Sequence, residues 1–456
     1  MTDLKEIINT QRIYFRSGTT LPVENRQACL LALKQAIRDM EYEILEALWE
    51  DLGKSAGEGY MSEVGMVLEE ISFMVRHIQK FSREQKAKTP LAQFHAKSYV
   101  KPCPYGTVLI MSPWNYPFLL AIGPMVDALA AGNTVILKPG KDAGATSRVL
   151  TRLVEKTFTK GLVFVVEGGR EANSRLLEEK FDYIFFTGGK EVGRLVMEKA
   201  ARHLTPVSLE LGGKSPCVVD ESADIPLTAR RVVFGKFLNL GQTCVAPDYL
   251  LVHSSIKEEL LSRMEQEIHR QFGEKPLENP NYGHIINEKH FQRLLGLMEG
   301  EEIRIGGKTE RRRRLEPTIL TNVTMDSPVM GEEIFGPILP VLEFQTLEEA
   351  MGIIRQYPAP LALYLFTKKR AVKKRITEEI PFGGGCVNDT VIHLATPYMG
   401  FGGIGESGMG AYHGKAGFDT FTHYKSLVDK KTWIDLPFRY APYSARNNKL
   451  IRLFMK

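Results

Sequence analysis

The sequence is poor in the features that mark a disulfide scaffold, a metal centre or a membrane protein. Only five of its 456 residues are cysteine: Cys29, Cys103, Cys217, Cys244 and Cys386. They are scattered, odd in number and nowhere spaced CxxC, so neither a disulfide framework nor a zinc site is expected. That usage fits free thiols in a reducing compartment, and a cytoplasmic protein is expected. No apolar run approaches the ~20 residues that a spanning helix needs. The opening MTDLKEIINTQR lacks the apolar stretch of a signal peptide. Residues 449–456 are amphipathic but too short to span, and read as a helix end docking on the protein rather than as a membrane contact. Charge of one sign is scarce as well: 59 Lys+Arg against 54 Asp+Glu leave +5, which makes no case for nucleic acid. The arginine run 311–314 sits beside Glu310 and Glu316 and reads as a solvated turn. There is no internal repeat and no low-complexity segment.

What remains is an average globular composition, 43% hydrophobic and 25% charged, in a chain long enough for about three ordinary domains. Residues 4–88 carry apolar positions at helical spacing, as in Ala28, Leu31, Leu33 and Ile37. A polar, Pro-bounded stretch over 93–100 then reads as an extended excursion. Short β-branched or aromatic runs follow at 107–111, 134–137, 162–166, 183–186 and 207–209, with helices predicted between them, including 118–131 and 190–201. That alternation predicts βαβ units in a parallel, doubly wound α/β sheet. In such sheets ligands sit at the carboxyl ends of the strands, here Asn115, Lys138, Gly168-Gly169, Thr187-Gly188-Gly189 and Glu210. A second α/β pattern begins with a helix at 225–238 and strands at 249–253, 334–344 and 361–366.

Two literal motif matches carry no chemistry. Gly403-Ile404-Gly405-Glu406-Ser407-Gly408 spells GxGxxG but follows no apolar strand and opens no helix, so it reads as a sharp, tightly packed loop. The Gly-Lys-Ser/Thr triplets at Gly53, Gly213 and Gly307 lack the leading glycine of a P-loop, so no ATP site is expected.

Three residues could carry chemistry, and each also has an ordinary structural explanation. Cys244, in Gly-Gln-Thr-Cys between a helix and a strand, is placed to react or is a structural thiol; Cys217 and Cys386 read as buried strand thiols. Glu210 ends an apolar strand, where a carboxylate is costly to bury: it is either a base of raised pKa or an ion-paired structural residue. Asn115, between a strand and a helix, is an oxyanion donor or a helix cap.

Taken together they resemble something specific. Pro-Trp-Asn-Tyr-Pro (from Pro113), Leu-Glu-Leu-Gly-Gly-Lys (from Leu209), Gly-Gln-Thr-Cys (from Gly241) and Glu-Glu-Ile-Phe-Gly-Pro (from Glu332) resemble the signature motifs of the aldehyde dehydrogenase superfamily, in its order and spacing. The resemblance covers nearly the whole chain. Gly-Ala-Tyr-His-Gly-Lys (from Gly410) and the segment around Trp433 to Tyr440 are similar to the class-three branch, which acts on medium- to long-chain aliphatic and aromatic aldehydes, usually as homodimers.

The resemblance implies a Rossmann-like cofactor domain over 1–88 and 106–209, a catalytic α/β domain over 210–395, and a small β oligomerisation element with the tail over 89–105 and 396–456. It implies Cys244 as nucleophile, Asn115 and the Cys244 N–H as oxyanion donors, and Glu210 as the base that hydrolyses a thioester. Lys138 and Glu333 would hold the two riboses of NAD or NADP. Phe335 would lie beside the nicotinamide, and Thr187, Gly188 and Gly193 near the pyrophosphate. No metal is implied. Relatives that prefer NAD commonly have a glutamate three residues after the Lys138 equivalent, where it repels a 2′-phosphate. Here Lys141 stands there, which implies that NADP is accepted, unless the side chain turns to solvent. An acyl-coenzyme A-forming relative is a rival that Glu210 argues against. A cysteine hydrolase would need a histidine, with His413 the best candidate, and a non-catalytic member of the fold would not need all four of Cys244, Glu210, Asn115 and Glu333. Tyr412 and His413 either line the substrate funnel or support it.

Overall fold

The computed structural model describes residues 4–311 and 313–455. Five strands whose residues are almost all buried form the centre of a six-stranded sheet: Thr107–Met111, Thr134–Lys138, Val163–Val165, Tyr183–Thr187 and Val207–Glu210. Continuous apolar runs are what a sheet covered on both faces requires. The spatial order is Val207–Glu210, Tyr183–Thr187, Thr107–Met111, Thr134–Lys138, Val163–Val165, all parallel. The direction of winding reverses between Thr107–Met111 and Tyr183–Thr187, and a crevice opens beyond their carboxyl ends. All five predicted strands are present, and the helix predicted over 190–201 spans Lys190–Ala201. A short strand from late in the chain, Gly408–Met409, pairs antiparallel on the outer edge of Val207–Glu210.

The second sheet has seven strands in the order Glu302–Ile305, Thr318–Thr321, Ile338–Phe344, Tyr249–His253, Pro216–Val219, Ala362–Phe366, Gly384–Val387. Only the first pairs antiparallel. Pro216–Val219 and Gly384–Val387 carry Cys217 and Cys386, the two thiols expected in strands; Cys217 is buried and Cys386 half-buried. The strand expected from 334 begins at Ile338 instead, because Phe335 turns left-handed (φ +52°) and carries the preceding residues into a loop. A third, three-stranded antiparallel sheet joins Gln85–Ala87, Ala96–Pro104 and Thr422–Lys430, the last two paired over nine residues. This is the excursion expected near 93–100 together with its C-terminal partner.

The tail forms the helix Ala445–Phe454, whose Phe454 stacks on Phe438 at 5.3 Å. Among the described residues no helix is long and apolar enough to cross a membrane. The arginine run is not simply solvated. Arg313 donates to the Ile286 carbonyl (2.7 Å), and Arg314 donates to those of Leu277, Asn279 and Tyr282, clamping a loop whose backbone lacks strand partners. Arg312 lies outside the described residues.

The helix Leu119–Ala131 is buried along its whole length. Its opening N–H groups, on Phe118 and Leu119, are accepted by Glu63 at 2.8 and 3.1 Å. Glu63 is also bound by Lys54 at 2.5 Å, and both side chains are buried. Lys54 lies 3.9 Å above the Tyr116 ring and donates to the Asn115 carbonyl (3.0 Å). One buried ion pair therefore caps the helix and fixes the turn that precedes it.

Removing one partner of a buried pair leaves an uncompensated charge, at a cost of about 3–5 kcal/mol. Glu63→Ala is expected to destabilise the protein by that much in denaturant unfolding, with most of the loss recovered in Lys54→Met/Glu63→Leu. A loss below about 1 kcal/mol would contradict the role assigned to the pair.

Candidate active site

Asn115 stands at the carboxyl end of the central strand but does not cap the helix after it, since Glu63 does. Its carboxamide instead donates to the Gln242 carbonyl (2.9 Å), across to the second sheet's side of the crevice and two residues from Cys244. Asn239 donates both to that Gln242 carbonyl (3.1 Å) and to the Asn115 carbonyl (2.8 Å), tying the two loops together. Gln242 is itself held by the Asn239 and His284 carbonyls and by the N–H of Ile286.

The chain reaches Cys244 through three successive left-handed residues, Asn239, Leu240 and Gly241 (φ 52°, 52° and 67°). Only glycine suits the third, because a Cβ on Gly241 would lie 2.3 Å from the Gly336 carbonyl oxygen. Thr243 anchors the loop from the other side through the Tyr116 hydroxyl at 2.7 Å.

Cys244 opens onto a cavity of about 200 Å³. Its wall is largely apolar, with Met61, Leu119, Phe234 and Phe401 prominent, and Tyr412 and His413 both line it. Burial and the nearby carboxyls of Glu333 and Glu210 push the thiol well above its ordinary range, while the backbone N–H groups of Cys244 and Val245 pull the other way. His413 does not hydrogen-bond the thiol. Its Nδ1 faces Glu70 at 3.5 Å.

Glu210 is 2% exposed, and neither carboxyl oxygen has a hydrogen-bond partner among the described residues. An ion-paired structural role is therefore excluded among the described residues. Burial alone raises its pKa well above 4.5. Glu333 accepts from the Gly213 N–H (3.2 Å), and burial, with Asp248 adding to it, raises its pKa to about 8. Its carboxyl lies so close to Gly212 that a Cβ there would come within 2.3 Å. The turn bearing Glu333 is held by Lys214, which binds Asp248 at 2.7 Å and the carbonyls of Val329 and Glu332 at 2.8 Å each. Phe335 meets Trp114 edge-on at 5.5 Å, bringing the two loops into contact.

The other predicted residues lie along the same rim. Lys138 is buried, its pKa lowered to about 8 by burial, and among the described residues its ammonium donates only to the adjacent Pro139 carbonyl (2.5 Å). Lys141 is exposed, and its side chain runs along Gly169, where a Cβ would lie 3.2 Å from Lys141 Cδ. Gly188 donates to the Glu210 carbonyl (3.0 Å), and Gly193 packs so closely that a Cβ would meet Leu211 at 2.8 Å. Among the described residues Thr187 Oγ1 is buried without a hydrogen-bond partner, and the helix after Gly189 has no side-chain cap. An orphaned hydroxyl, an uncapped helix start and an under-used lysine on one strand-end rim fit a dinucleotide. Among the described residues no cluster of three or more His, Cys, Asp or Glu could hold a metal.

Lys54, Glu63, Asn239, Gln242, Lys214 and Asp248 were not singled out from the sequence as site residues. Lys54 and Lys214 stand in two of the Gly-Lys-Ser triplets, where glycine lets a lysine turn inward; that was the available signal.

The family model described as the aldehyde dehydrogenase family matches residues 1–427. The chain is 44% identical over 459 residues to the 4,4'-diaponeurosporen-aldehyde dehydrogenase of Staphylococcus aureus, covering 100% of both. It is 42% identical to aldehyde dehydrogenase family 3 member B1 of Bos taurus, covering 100% of this chain and 98% of the relative. The structure of Staphylococcus aureus AldH in its substrate-bound state superimposes with a TM-score of 0.98 at 44% identity, over all of both chains. Betaine aldehyde dehydrogenase from Staphylococcus aureus, in complex with NAD+, superimposes with a TM-score of 0.85 at 26% identity, covering 95% of this chain and 90% of that one. The chain belongs to the aldehyde dehydrogenase family, enzymes that oxidise aldehydes with NAD or NADP as hydride acceptor.

Because burial raises the Glu210 pKa above its unfolded value, its contribution to stability is complete below about pH 4.5 and is lost as pH rises toward the raised value. Glu210→Gln is expected to melt at the wild-type temperature near pH 4.5 and increasingly above it from pH 6 to 9. A gap that does not widen with pH would mean that the carboxyl is paired.

Proposed function

We propose that the enzyme oxidises medium- to long-chain aliphatic or aromatic aldehydes through a thioester on Cys244 that water hydrolyses. The observation that carries this reading is the tie between Asn115 and the Cys244 loop, together with a buried Glu210 whose carboxyl has no hydrogen-bond partner among the described residues. The Cys244 sulfur attacks the aldehyde carbon. The Asn115 carboxamide, which has a second N–H beyond the one given to Gln242, and the Cys244 backbone N–H stabilise the oxyanion. The dinucleotide, when bound, supplies the hydride acceptor that makes oxidation to the thioester possible. Glu210, basic because it is desolvated, takes a proton from water as the water attacks the acyl carbon and the thiolate leaves. The apolar wall excludes bulk water and suits a hydrocarbon or aromatic chain.

Lys138 and Glu333 would hold the two riboses, Phe335 the nicotinamide edge, and Thr187, Gly188 and Gly193 the pyrophosphate turn. Lys141, exposed beside the Gly168-Gly169 turn, suits a 2′-phosphate, so NADP is accepted alongside NAD. The cofactor domain comprises 1–88 and 106–209, the catalytic domain 210–395, and the bridging element 89–105 with 396–456. The exposed three-stranded sheet supports a homodimer, and the free cysteines support a cytoplasmic enzyme.

Cys244→Ser should abolish aldehyde-dependent reduction of NAD and NADP. Asn115→Ala should lower kcat by about a hundredfold to a thousandfold. Glu210→Gln should still release one rapid equivalent of reduced cofactor but turn over at least ~100-fold more slowly. Full turnover in Cys244→Ser, or acyl-coenzyme A formed on adding coenzyme A, would overturn the reading. A separate comparison tests the cofactor: Lys141→Glu should lower the ratio of kcat/KM for NADP to that for NAD by about tenfold or more. An unchanged ratio removes Lys141 from the site.

A further inference from the structure

A carboxylate that draws a proton from water works best when a second group aims that water's lone pair, and Glu210 has no hydrogen-bond partner among the described residues. The chain segment paired beside it is Gly408–Met409. Gly408 pairs with Glu210 and Met409 with Leu209, so this segment runs along the strand that carries the base. Tyr412 follows, fixed by two backbone hydrogen bonds to Phe401 of 2.9 Å each. Its ring is wedged by the edge of Phe185 at 5.2 Å, Phe401 at 5.9 Å and His413 at 4.1 Å.

Among the buried tyrosines around the site, three have committed hydroxyls. That of Tyr116 is bonded to Thr243 and that of Tyr183 to Ser208, at 2.7 Å each, and that of Tyr364 donates to the Val245 carbonyl at 2.5 Å. The Tyr412 hydroxyl has no hydrogen-bond partner among the described residues, although Tyr412 is only 2% exposed and forms part of the same cavity wall as Cys244. Buried phenols normally find a partner. Burial raises the phenol's ionisation well above 10, and the Glu210 carboxyl and Cys244 thiol raise it further, so it stays neutral beside both.

We propose that Tyr412 is a positioning residue for thioester hydrolysis: its hydroxyl oxygen accepts one hydrogen of the attacking water while Glu210 accepts the other. The water oxygen bonds to the acyl carbon, its transferred proton goes to Glu210, and the C–S electron pair returns to Cys244 as thiolate. Tyr412 neither gains nor loses a proton. The inference rests on Glu210 being the base.

Tyr412→Phe, which removes only the oxygen, tests it. Decay of the acyl-enzyme, followed by rapid quench, is expected to slow by about ten- to a hundredfold. The burst of reduced cofactor should keep its rate, and kcat/KM, which reports steps up to the thioester, should stay within about twofold. Hydroxylamine, a nucleophile that needs no such alignment, should restore turnover. Unchanged acyl-enzyme decay, or kcat/KM falling together with kcat, overturns the proposal and leaves Tyr412 as cavity wall. Glu210→Gln run in parallel separates the two claims: if that variant deacylates normally, the base assignment has failed. If it alone is slow, only the role of Tyr412 has failed. Melting temperature, with Tyr412→Leu as a second variant that also removes the ring, distinguishes a lost hydroxyl from a disturbed fold.

Discussion

Asn115 and Cys244 belong to different halves of the molecule, and a few buried hydrogen bonds decide how they face each other. Asn115 reaches the Gln242 carbonyl, Asn239 bonds both Gln242 and Asn115, and Lys54 bonds Asn115 from beneath. An orphaned buried polar group costs about 1–3 kcal/mol, so this knot resists partial opening. It also holds backbone that would not otherwise adopt its shape. Asn239 and Leu240 are non-glycine residues in the left-handed region, a strain of order 1–3 kcal/mol each. Asn115 and Cys244 are thus set by the same network that stores the strain. An error of about 1 Å in their separation is the kind that costs a hundredfold in rate.

The electrostatics follow from water exclusion rather than from charge pairing. Glu210, Glu333 and Cys244 are all shifted upward with burial as the main cause. Two nearby lysines are committed elsewhere, Lys54 to Glu63 and Lys214 to Asp248. A third, Lys236, is fully buried without a hydrogen-bond partner among the described residues, and burial lowers its pKa to about 8. Burial, not a neighbouring charge, is thus the main influence on each of these groups. In such water-excluded surroundings an N–H donor acts on a developing negative charge far more strongly than it would in water.

The sequence was most legible where periodicity and burial coincide. Five parallel strands read as continuous apolar runs because both faces of their sheet are covered. Unforeseen strands include Gln85–Ala87, inside the stretch that reads as helical, and Thr318–Thr321 and Glu302–Ile305, which have four residues each, one of them exposed along most of its length. A run that short leaves no period to detect. Cys244, Glu210 and Asn115 could be proposed because they stand at strand ends or in a glycine-started loop. Each alone fitted a structural role just as well. The alternative for Asn115 failed because Glu63, more than fifty positions upstream, takes the helix N-terminus, and no local pattern contains that contact. Lys54 and Lys214 were set aside as failed phosphate loops, when the glycine before each serves the close packing of an inward-turned lysine. The arginine run misled for the converse reason: charge suggested solvent, whereas the neighbouring loop needed donors for its carbonyls.

The same geometry separates oxidation from cysteine-dependent hydrolysis. A hydrolase would pair its thiol with an imidazole and hold it as a thiolate. His413 lines the cavity, yet its orientation is fixed from behind. Its backbone is left-handed (φ +78°), its N–H donates to Asp127 at 3.4 Å, and its Nδ1 faces Glu70. Glu70 also accepts from the Gly414 N–H (2.7 Å), so the ring is anchored to a buried acidic pair and away from the nucleophile. The thiol of Cys244 is correspondingly raised, not depressed. That arrangement disfavours a cysteine–histidine pair, and Glu210, the proposed base, stands on a separate strand from the Cys244 loop.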